Sequence, residues 1–316
     1  MTLAALDRPA PTAMDRVLAE IRALGLEANL VELEAQGFTT LREAMPAARL
    51  ERARAAIVAR VERMTGRTID IGQASADDFK GMQYIPYLLF DDEVFEEILL
   101  APGPLALITW LLGESCLLSS MGCHFRGPGG APLMLHSDNG NGMPAPFSPI
   151  SMVANVNYAL TPYSREAGAL VMVPGSHRLQ RHPTAHENFR IDGMSTTAAL
   201  EKARTGALDG ALWRDPPGIV TMALEPGDAV VWHGNTWHGS HLRDLPGVRM
   251  NLAAYFCRQF VQTQEQRKGA TPPKVLARRC NDERFEVLMG ERQPYGWREE
   301  GPNYALMNRS PRGLYD

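Results

Sequence analysis

The sequence lacks the features that mark several classes of protein. Its 316 residues include only four cysteines, Cys116, Cys123, Cys257 and Cys280, and no two of them form a C-x-x-C pair. This scarcity argues against a disulfide-rich scaffold and against a zinc–cysteine module, and it favours a reduced, cytoplasmic protein. The chain also has no internal repeat and no low-complexity tract.

Long hydrophobic runs and an excess of positive charge are also missing. The longest apolar stretch, Leu105–Leu112, is too short to cross a bilayer, and the N-terminal MTLAALDRPAPTAMDR has no signal-peptide pattern. The net charge is −4 and there is no basic run, which argues against a nucleic-acid partner. The composition, 45% hydrophobic and 22% charged, is that of an ordinary soluble globular protein.

Hydrophobic periodicity divides the chain into three parts. Residues 1–115 are predicted to be mostly helical, because apolar residues recur there at helical spacing, as in Met14–Leu24. In residues 116–260 short β-prone runs alternate with Gly/Pro/Asn turns, and residues 261–316 read as a tail with one helix near Asp282–Met289. Since no Pro/Ser-rich linker separates these parts, we expect one domain: a β-sandwich or barrel with a helical flank.

The predicted strands are Phe38–Leu41, Cys116–Phe125, Leu133–Asp138, Ser151–Thr161, Ala169–Val173, Ile219–Leu224, Ala229–His233, Thr236–His241 and Val248–Phe256.

One stretch, GDAVVWHGNTWHGSHLRDLPGVRMN at 227–251, places unusual polar residues in strands that are otherwise apolar. It contains three histidines, His233, His238 and His241, and two arginines, Arg243 and Arg249. Polar groups in a buried strand must be paired. A metal ion and an anionic ligand together would supply partners for both residue types.

A second motif, His136-Ser137-Asp138, is the only H-x-D/E in the chain. Residues two apart on a strand point to the same face, so the imidazole and the carboxylate would converge. The motif is weak alone, but it ends a β-prone run and a histidine-bearing strand follows downstream. Two histidines and one carboxylate that leave open positions are the arrangement of non-haem Fe(II) oxygenases.

Four segments in order resemble the phytanoyl-CoA dioxygenase family: LEAQGFTTL at 33–41, HSD at 136–138, GALVMVPGSH at 168–177 and GDAVVWHGNTWHGSH at 227–241. The resemblance covers roughly residues 30–260. It implies an oxygenase that uses Fe(II), 2-oxoglutarate and O2. It also implies a double-stranded β-helix, a jelly-roll-type barrel that agrees with the strand pattern.

The resemblance also implies roles for particular residues. His136 and Asp138 match the family's proximal metal ligands, and His238 matches the distal ligand. Arg249 matches the arginine that holds the far carboxylate of 2-oxoglutarate, a task that suits a planar guanidinium. Ser240 matches a hydroxyl that helps to hold the same carboxylate in several members.

The chain departs from the family pattern at two places. Where some members carry a Gln and a Thr that contact the co-substrate, this sequence has Leu133 and Leu170. Other groups must then complete the pocket. Asn155 and Asn157, which share a strand face, are the candidates, and we favour Asn157.

The remaining histidines have structural interpretations. His233 is more simply a structural or supporting residue than a ligand, and strand alternation points His241 away from His238. His124 and Arg126 share a strand face and either meet an acidic substrate group or form a structural ion pair. The other three form a cluster that we assign to a surface loop near the pocket mouth: His177, His182 and His186.

We expect a dioxygenase that hydroxylates an unactivated C–H of a small, partly hydrophobic molecule, such as a secondary metabolite or lipid-like acid, with release of succinate and CO2. Asp138 argues against halogenation, because related halogenases lack this carboxylate. Desaturation, epoxidation or rearrangement stay open for the same site. The loop at 140–149 is a candidate lid, with Phe147, Trp232 and Met152 near the substrate.

Two other classes of function stay open from the sequence. A cupin-like dioxygenase would not need 2-oxoglutarate, so Arg249 would be dispensable. A non-enzymatic binding protein on the same fold would have no use for three converging ligands.

Overall fold

The structure is a computed structural model that describes residues 13–75, 82–140, 143–208, 210–266, 269–292 and 300–301. Its α-helices are α1 (Ala13–Ala23), α2 (Glu27–Gln36), α3 (Ala47–Thr65), α4 (Glu93–Leu99), α5 (Pro102–Leu112), α6 (Thr196–Arg204), α7 (Pro273–Arg278) and α8 (Glu283–Leu288). Its strands are β1 (Phe38–Leu41), β2 (Met82–Ile85), β3 (Leu117–Arg126), β4 (Leu133–His136), β5 (Val153–Ala159), β6 (Leu170–Met172), β7 (Val220–Thr221), β8 (Ala229–His233), β9 (His238–Ser240) and β10 (Arg249–Cys257).

The strands form two antiparallel sheets. The larger sheet has six strands in the order β1-β8-β5-β10-β3-β2, and the smaller has four in the order β4-β9-β6-β7. Apolar residues of both sheets, including Trp232 from β8 and Met172 from β6, pack together in one cluster between them. This arrangement confirms the predicted fold class, mainly β with a helical flank.

Side chains along β10 point alternately to the two faces of the larger sheet. Met250 and Leu252 belong to the main hydrophobic core, which the helices cover, whereas Arg249 and Asn251 point to the opposite face. β5 repeats the pattern, with Val156 in that core. The polar residues of the larger sheet therefore face the smaller sheet.

Several predicted strands are shorter in the structure, and two of these differences shape the site. The strand predicted for Thr236–His241 begins only at His238, because the Thr236 N–H donates to His233 O in a turn. The strand predicted for Leu133–Asp138 ends at His136. Asp138 instead starts a 3-10 turn, so strand alternation is not what turns it towards His136.

No single helix among the described residues is long and apolar enough to cross a bilayer. Helices α4 and α5 reach the length and apolar composition of a membrane span only when they are taken together, and their axes are bent by 55° relative to each other.

Candidate metal centre

Three side chains that could hold a metal ion come together at one end of the smaller sheet. His136 of β4 and His238 of β9 are direct partners across the strand pair, and Asp138 follows in the turn. One ligand atom from each residue lies within 4.8 Å of the others. His136 Nε2 is 3.8 Å from Asp138 Oδ1, and His238 Nε2 is 3.6 Å from Asp138 Oδ2.

Backbone carbonyls orient both imidazoles. His136 Nδ1 lies 2.9 Å from Met134 O, and His238 Nδ1 lies 3.0 Å from Thr236 O. A carbonyl only accepts, so each Nδ1 carries the hydrogen and each Nε2 presents its lone pair towards Asp138. Burial lowers the pKa of His238 to about 4, which keeps its ring neutral and able to bind a cation.

Two donors from the larger sheet hold the carboxylate of Asp138. Asn155 Nδ2 donates to Asp138 Oδ2 at 2.8 Å, and Trp232 Nε1 donates to the same oxygen at 3.0 Å. Asn155 and Trp232 are neighbours across the β5–β8 pair, so one ladder position supplies both donors. They leave Oδ1 free of these bonds and facing His136.

The three side chains differ in access to solvent. His136 is 40% exposed, whereas Asp138 is 13% and His238 is 6% exposed. The group therefore opens to solvent on the His136 side.

A cationic pocket lies further along the same interior. Arg249 begins β10 and pairs with Arg126 at the end of β3. Arg249 donates to Gly168 O, its guanidinium stands 5.8 Å from the Tyr163 ring, and burial lowers its pKa. No carboxylate of the described residues forms an ion pair with either arginine.

Ser240 and Asn157 also face this interior. Ser240 is two residues beyond His238 on β9, is fully buried, and accepts a hydrogen bond from Arg126 Nη1 at 3.1 Å. Asn157 is 5% exposed and pairs with Ala253 across the β5–β10 ladder. Its Oδ1 has no hydrogen-bond partner among the described residues.

The geometry can now be compared with known proteins. The family model described as Phytanoyl-CoA dioxygenase (PhyH) matches residues 33–243, about two thirds of the chain. The chain belongs to this family. The matched segment contains both histidines and the aspartate of the triad and ends shortly before Arg249.

Individual relatives agree with the family assignment. A curated relative, "Dioxygenase af480" of Aspergillus fumigatus, is 29% identical over 192 residues, or 61% of this chain. The match spans only 51% of that relative, so the chain corresponds to about half its length. Among solved structures, HygX of Streptomyces hygroscopicus with nickel and 2-oxoglutarate bound has a TM-score of 0.56 at 16% identity. It covers 75% of this chain and 88% of its own.

A second solved structure is the non-heme alpha ketoglutarate dependent epimerase SnoN from nogalamycin biosynthesis. Its TM-score is 0.50 at 18% identity, over 75% of this chain and 84% of its own. At these identities the solved structures establish the shared fold. Family membership implies dioxygenase chemistry that uses Fe(II), 2-oxoglutarate and O2.

The residues present suit these groups. Two imidazoles and one carboxylate are a donor set that Fe(II) accepts. The buried guanidinium of Arg249, which has no acidic partner among the described residues, suits the far carboxylate of 2-oxoglutarate.

His233 and His241 lie outside the triad, as strand positions predicted. His233 Nε2 donates to Pro149 O at 3.3 Å, and its ring is 5.5 Å from that of His177. His241 contacts Thr221 Oγ1 at 2.9 Å on the other side of the smaller sheet. Neither His124 nor Arg126 forms an ion pair with a carboxylate of the described residues, so the structural ion pair considered for them is wrong.

Part of the predicted lid, residues 143–149, is described in the structure, and it has one deeply buried side chain. Phe147 is 2% exposed and packs edge-on against His182 at 5.0 Å. Its backbone N–H donates to Gln180 O. Phe147 therefore anchors this segment in the interior, whereas Trp232, expected near the substrate, contacts Asp138 directly.

The supporting residues of the triad were missed from the sequence. The sequence placed Trp232 near the substrate, and it offered Asn155 only as a candidate contact for the co-substrate. Alternation along β5 and β8 indicates that both side chains face the interior. That both reach Asp138 depends on the register between the two strands, which the sequence does not give.

Proposed function

We propose that His136, Asp138 and His238 hold the Fe(II) of this dioxygenase. The observation that carries this is the convergence of their ligand atoms within 4.8 Å, with both Nε2 lone pairs turned inwards. The partial exposure of His136 supports entry of O2 and substrate from that side.

We propose that 2-oxoglutarate extends from the triad towards Arg249. Ser240 is two residues beyond His238, about 7 Å along the strand, a span that a five-carbon dicarboxylate can bridge. Arg249 and Ser240 would hold its far carboxylate, and the free Oδ1 of Asn157 points to a further polar contact along its length.

The protein's own residues orient and protect the reaction. Bound Fe(II) would supply oxidation of a C–H bond by O2, with one oxygen atom going to the product and the other to the succinate that 2-oxoglutarate forms as it loses CO2. Trp232 and Asn155 fix the rotation of the Asp138 carboxylate, and the carbonyls of Met134 and Thr236 hold the two rings. Burial of Arg249 keeps water from competing for its ligand.

We propose hydroxylation of a small, partly hydrophobic molecule, either a secondary metabolite or a lipid-like acid. HygX has been solved with hygromycin B bound, and SnoN acts in nogalamycin biosynthesis, which supports the secondary-metabolite class. Because SnoN is an epimerase, the product must be examined directly. Gain of one oxygen atom indicates hydroxylation or epoxidation, unchanged mass indicates epimerisation or another rearrangement, and loss of two hydrogens indicates desaturation; NMR of the product separates the reactions that share a mass.

We also propose a cytoplasmic location, since all four cysteines are free and three are buried. Fractionation of cells that express the tagged protein, with periplasmic and membrane markers, tests this.

The first experiment is an anaerobic titration of the metal-free protein with Fe(II) and then 2-oxoglutarate. The expected result is a visible metal-to-ligand charge-transfer band that is lost in His238→Ala and weakened in Arg249→Met. His241→Ala is the matched control and should keep the band. Iron binding without the band would contradict the co-substrate assignment, and absence of iron binding would contradict the triad.

A further inference from the structure

Two buried arginines, and not one, stand at the far end of the proposed co-substrate pocket. Arg126 and Arg249 are direct partners across the β3–β10 ladder, and each is 1% exposed. Both lie on the face of the larger sheet that points towards the smaller one. Their neighbours along the strands, Phe125 and Met250, point to the opposite face and belong to the main core. The pair therefore places two guanidiniums in one buried space.

This space has no negative charge among the described residues to balance them. Arg126 donates to Ser240 Oγ and to Ala131 O, Arg249 donates to Gly168 O, and the Nε of each has no partner in the described part of the chain. Burial and the neighbouring Arg249 lower the pKa of Arg126 to about 9, so the Arg126 guanidinium remains charged at neutral pH. Buried charges without partners are costly, which points to an anionic ligand.

The surroundings of Ser240 also favour an anionic ligand in this space. Its ladder partners on both sides are leucines, Leu133 and Leu170, which offer no side-chain donor. Because Ser240 Oγ accepts from Arg126 Nη1, the hydroxyl hydrogen of Ser240 remains available for a ligand. Arg126 thus supplies the polar group that the two leucines do not.

A third buried arginine shows what a structural role looks like in this fold. Arg243 uses Nε, Nη1 and Nη2 to donate to Gly247 O, Ala167 O and Pro246 O. Its donors are engaged by backbone, whereas Arg126 and Arg249 each keep an unpaired Nε.

We propose that Arg126 is a second anchor for the far carboxylate of 2-oxoglutarate, acting with Arg249 and Ser240. This inference rests on the proposed function, which puts that carboxylate beside Arg249. It makes the pocket select 2-oxo acids by their far charge. It also assigns Arg126 to the co-substrate, and not to an acidic group of the substrate.

The test compares two ligands on three variants. 2-Oxoglutarate and 2-oxovalerate, which lacks the far carboxylate, are titrated anaerobically into Fe(II)-loaded wild type, Arg126→Met, Arg249→Met and Arg243→Met. We expect Arg126→Met to weaken 2-oxoglutarate about 10- to 100-fold, as loss of a charge-assisted hydrogen bond does. It should change 2-oxovalerate less than about twofold, and Arg243→Met should leave both ligands near the wild-type values.

Thermal unfolding without any ligand adds a readout independent of activity. Arg126→Met should unfold at or above the wild-type temperature, because it removes an unbalanced buried charge, while Arg243→Met should unfold lower because it abandons three carbonyls. The stabilisation that 2-oxoglutarate gives should shrink in Arg126→Met.

The outcomes distinguish a wrong role for Arg126 from a wrong assignment of the whole pocket. Equal weakening of both ligands, or unchanged 2-oxoglutarate affinity in Arg126→Met, overturns the role of Arg126. If Arg249→Met also fails to discriminate between the ligands, the pocket itself is wrongly assigned and the proposed function falls with it.

Discussion

At the scale of single residues, the carboxylate of Asp138 contacts side chains of both sheets. Its Oδ2 accepts from Trp232 and Asn155 of the larger sheet, while its Oδ1 faces His136 of the smaller one. Hydrogen-bond donors to a carboxylate ligand fix its rotation. The two donors are therefore positioning residues for the proposed metal site.

Removing one of these donors should weaken the proposed metal site by more than the change in packing alone would. We expect Trp232→Phe to lower Fe(II) affinity about 10- to 100-fold, the usual effect of losing a supporting hydrogen bond to a ligand. Anaerobic Fe(II) titration measures this. Trp237→Phe is the matched control, because Trp237 Nε1 donates to Arg181 O and has no bond to the triad. Equal losses in both variants would show that the effect is only structural.

At the scale of elements, the β4–β9 pair carries both histidines of the triad, and Gly239 lies between His238 and Ser240 on β9. A Cβ added to Gly239 would meet Leu133 O at 2.3 Å and Leu135 N at 3.3 Å. Both atoms belong to the backbone, so a side chain there must push β4 away from β9.

Gly239→Ala should therefore destabilise the fold and separate the two histidines. We expect a loss of about 1–3 kcal/mol in unfolding free energy, as for other overpacked sites, together with weaker Fe(II) binding. Urea unfolding and metal titration measure the two effects. Gly103→Ala in α5 is the control, since its Cβ would meet only Leu26 Cδ1 at 3.8 Å. A Gly239→Ala protein with wild-type stability would contradict this close packing.

The sequence predicted which elements exist better than where they end. Apolar alternation identified β5, β8 and β10 nearly in full, because each has one face in the main core. It extended the strand at His136 through Asp138, because a tight turn leaves no periodic signal. The turn depends on contacts distant in sequence, such as Ser137 Oγ donating to Gly234 O.

At the scale of the whole molecule, buried histidines make stability depend on pH. His233 is neutral in the fold: its Nδ1 accepts from Asn235 N–H, and its Nε2 donates to Pro149 O. Burial, with smaller contributions from His177 and Arg258, lowers its pKa to about 4. Burial also lowers the pKa values of three other histidines outside the triad, His124, His177 and His241.

The sign of the dependence follows from these lowered values. Unfolded histidine has a pKa of about 6.5, so between pH 6.5 and 4 the unfolded chain binds more protons than the fold. Stability is therefore full above about pH 6.5 and falls as the pH decreases towards 4. We expect His233→Gln to reduce this slope by up to about 1.4 kcal/mol per pH unit. Urea unfolding of both metal-free proteins at pH 7 and 5 checks it, and identical slopes would contradict it.

Sequence reasoning reached the candidate ligands but not the pocket around them. His136, Asp138 and His238 stand in short motifs whose residue types indicate metal binding, and family resemblance ordered them. Arg126 could not be assigned, because its partner depends on the β3–β10 register and on the apolar neighbours of Ser240. Such pairings are properties of the assembled sheets and leave no local pattern.

If His136 and His238 hold iron as proposed, their pairing also limits when the protein can acquire the metal during biosynthesis. The two residues are about a hundred positions apart and meet only across the β4–β9 ladder. β9 is held in turn by β6, and its loop by Ser176, so a nascent chain that ends before residue 238 offers one imidazole and one carboxylate and no closed set. Long-range pairing must precede metal capture, and iron loading is therefore an event after translation of the barrel.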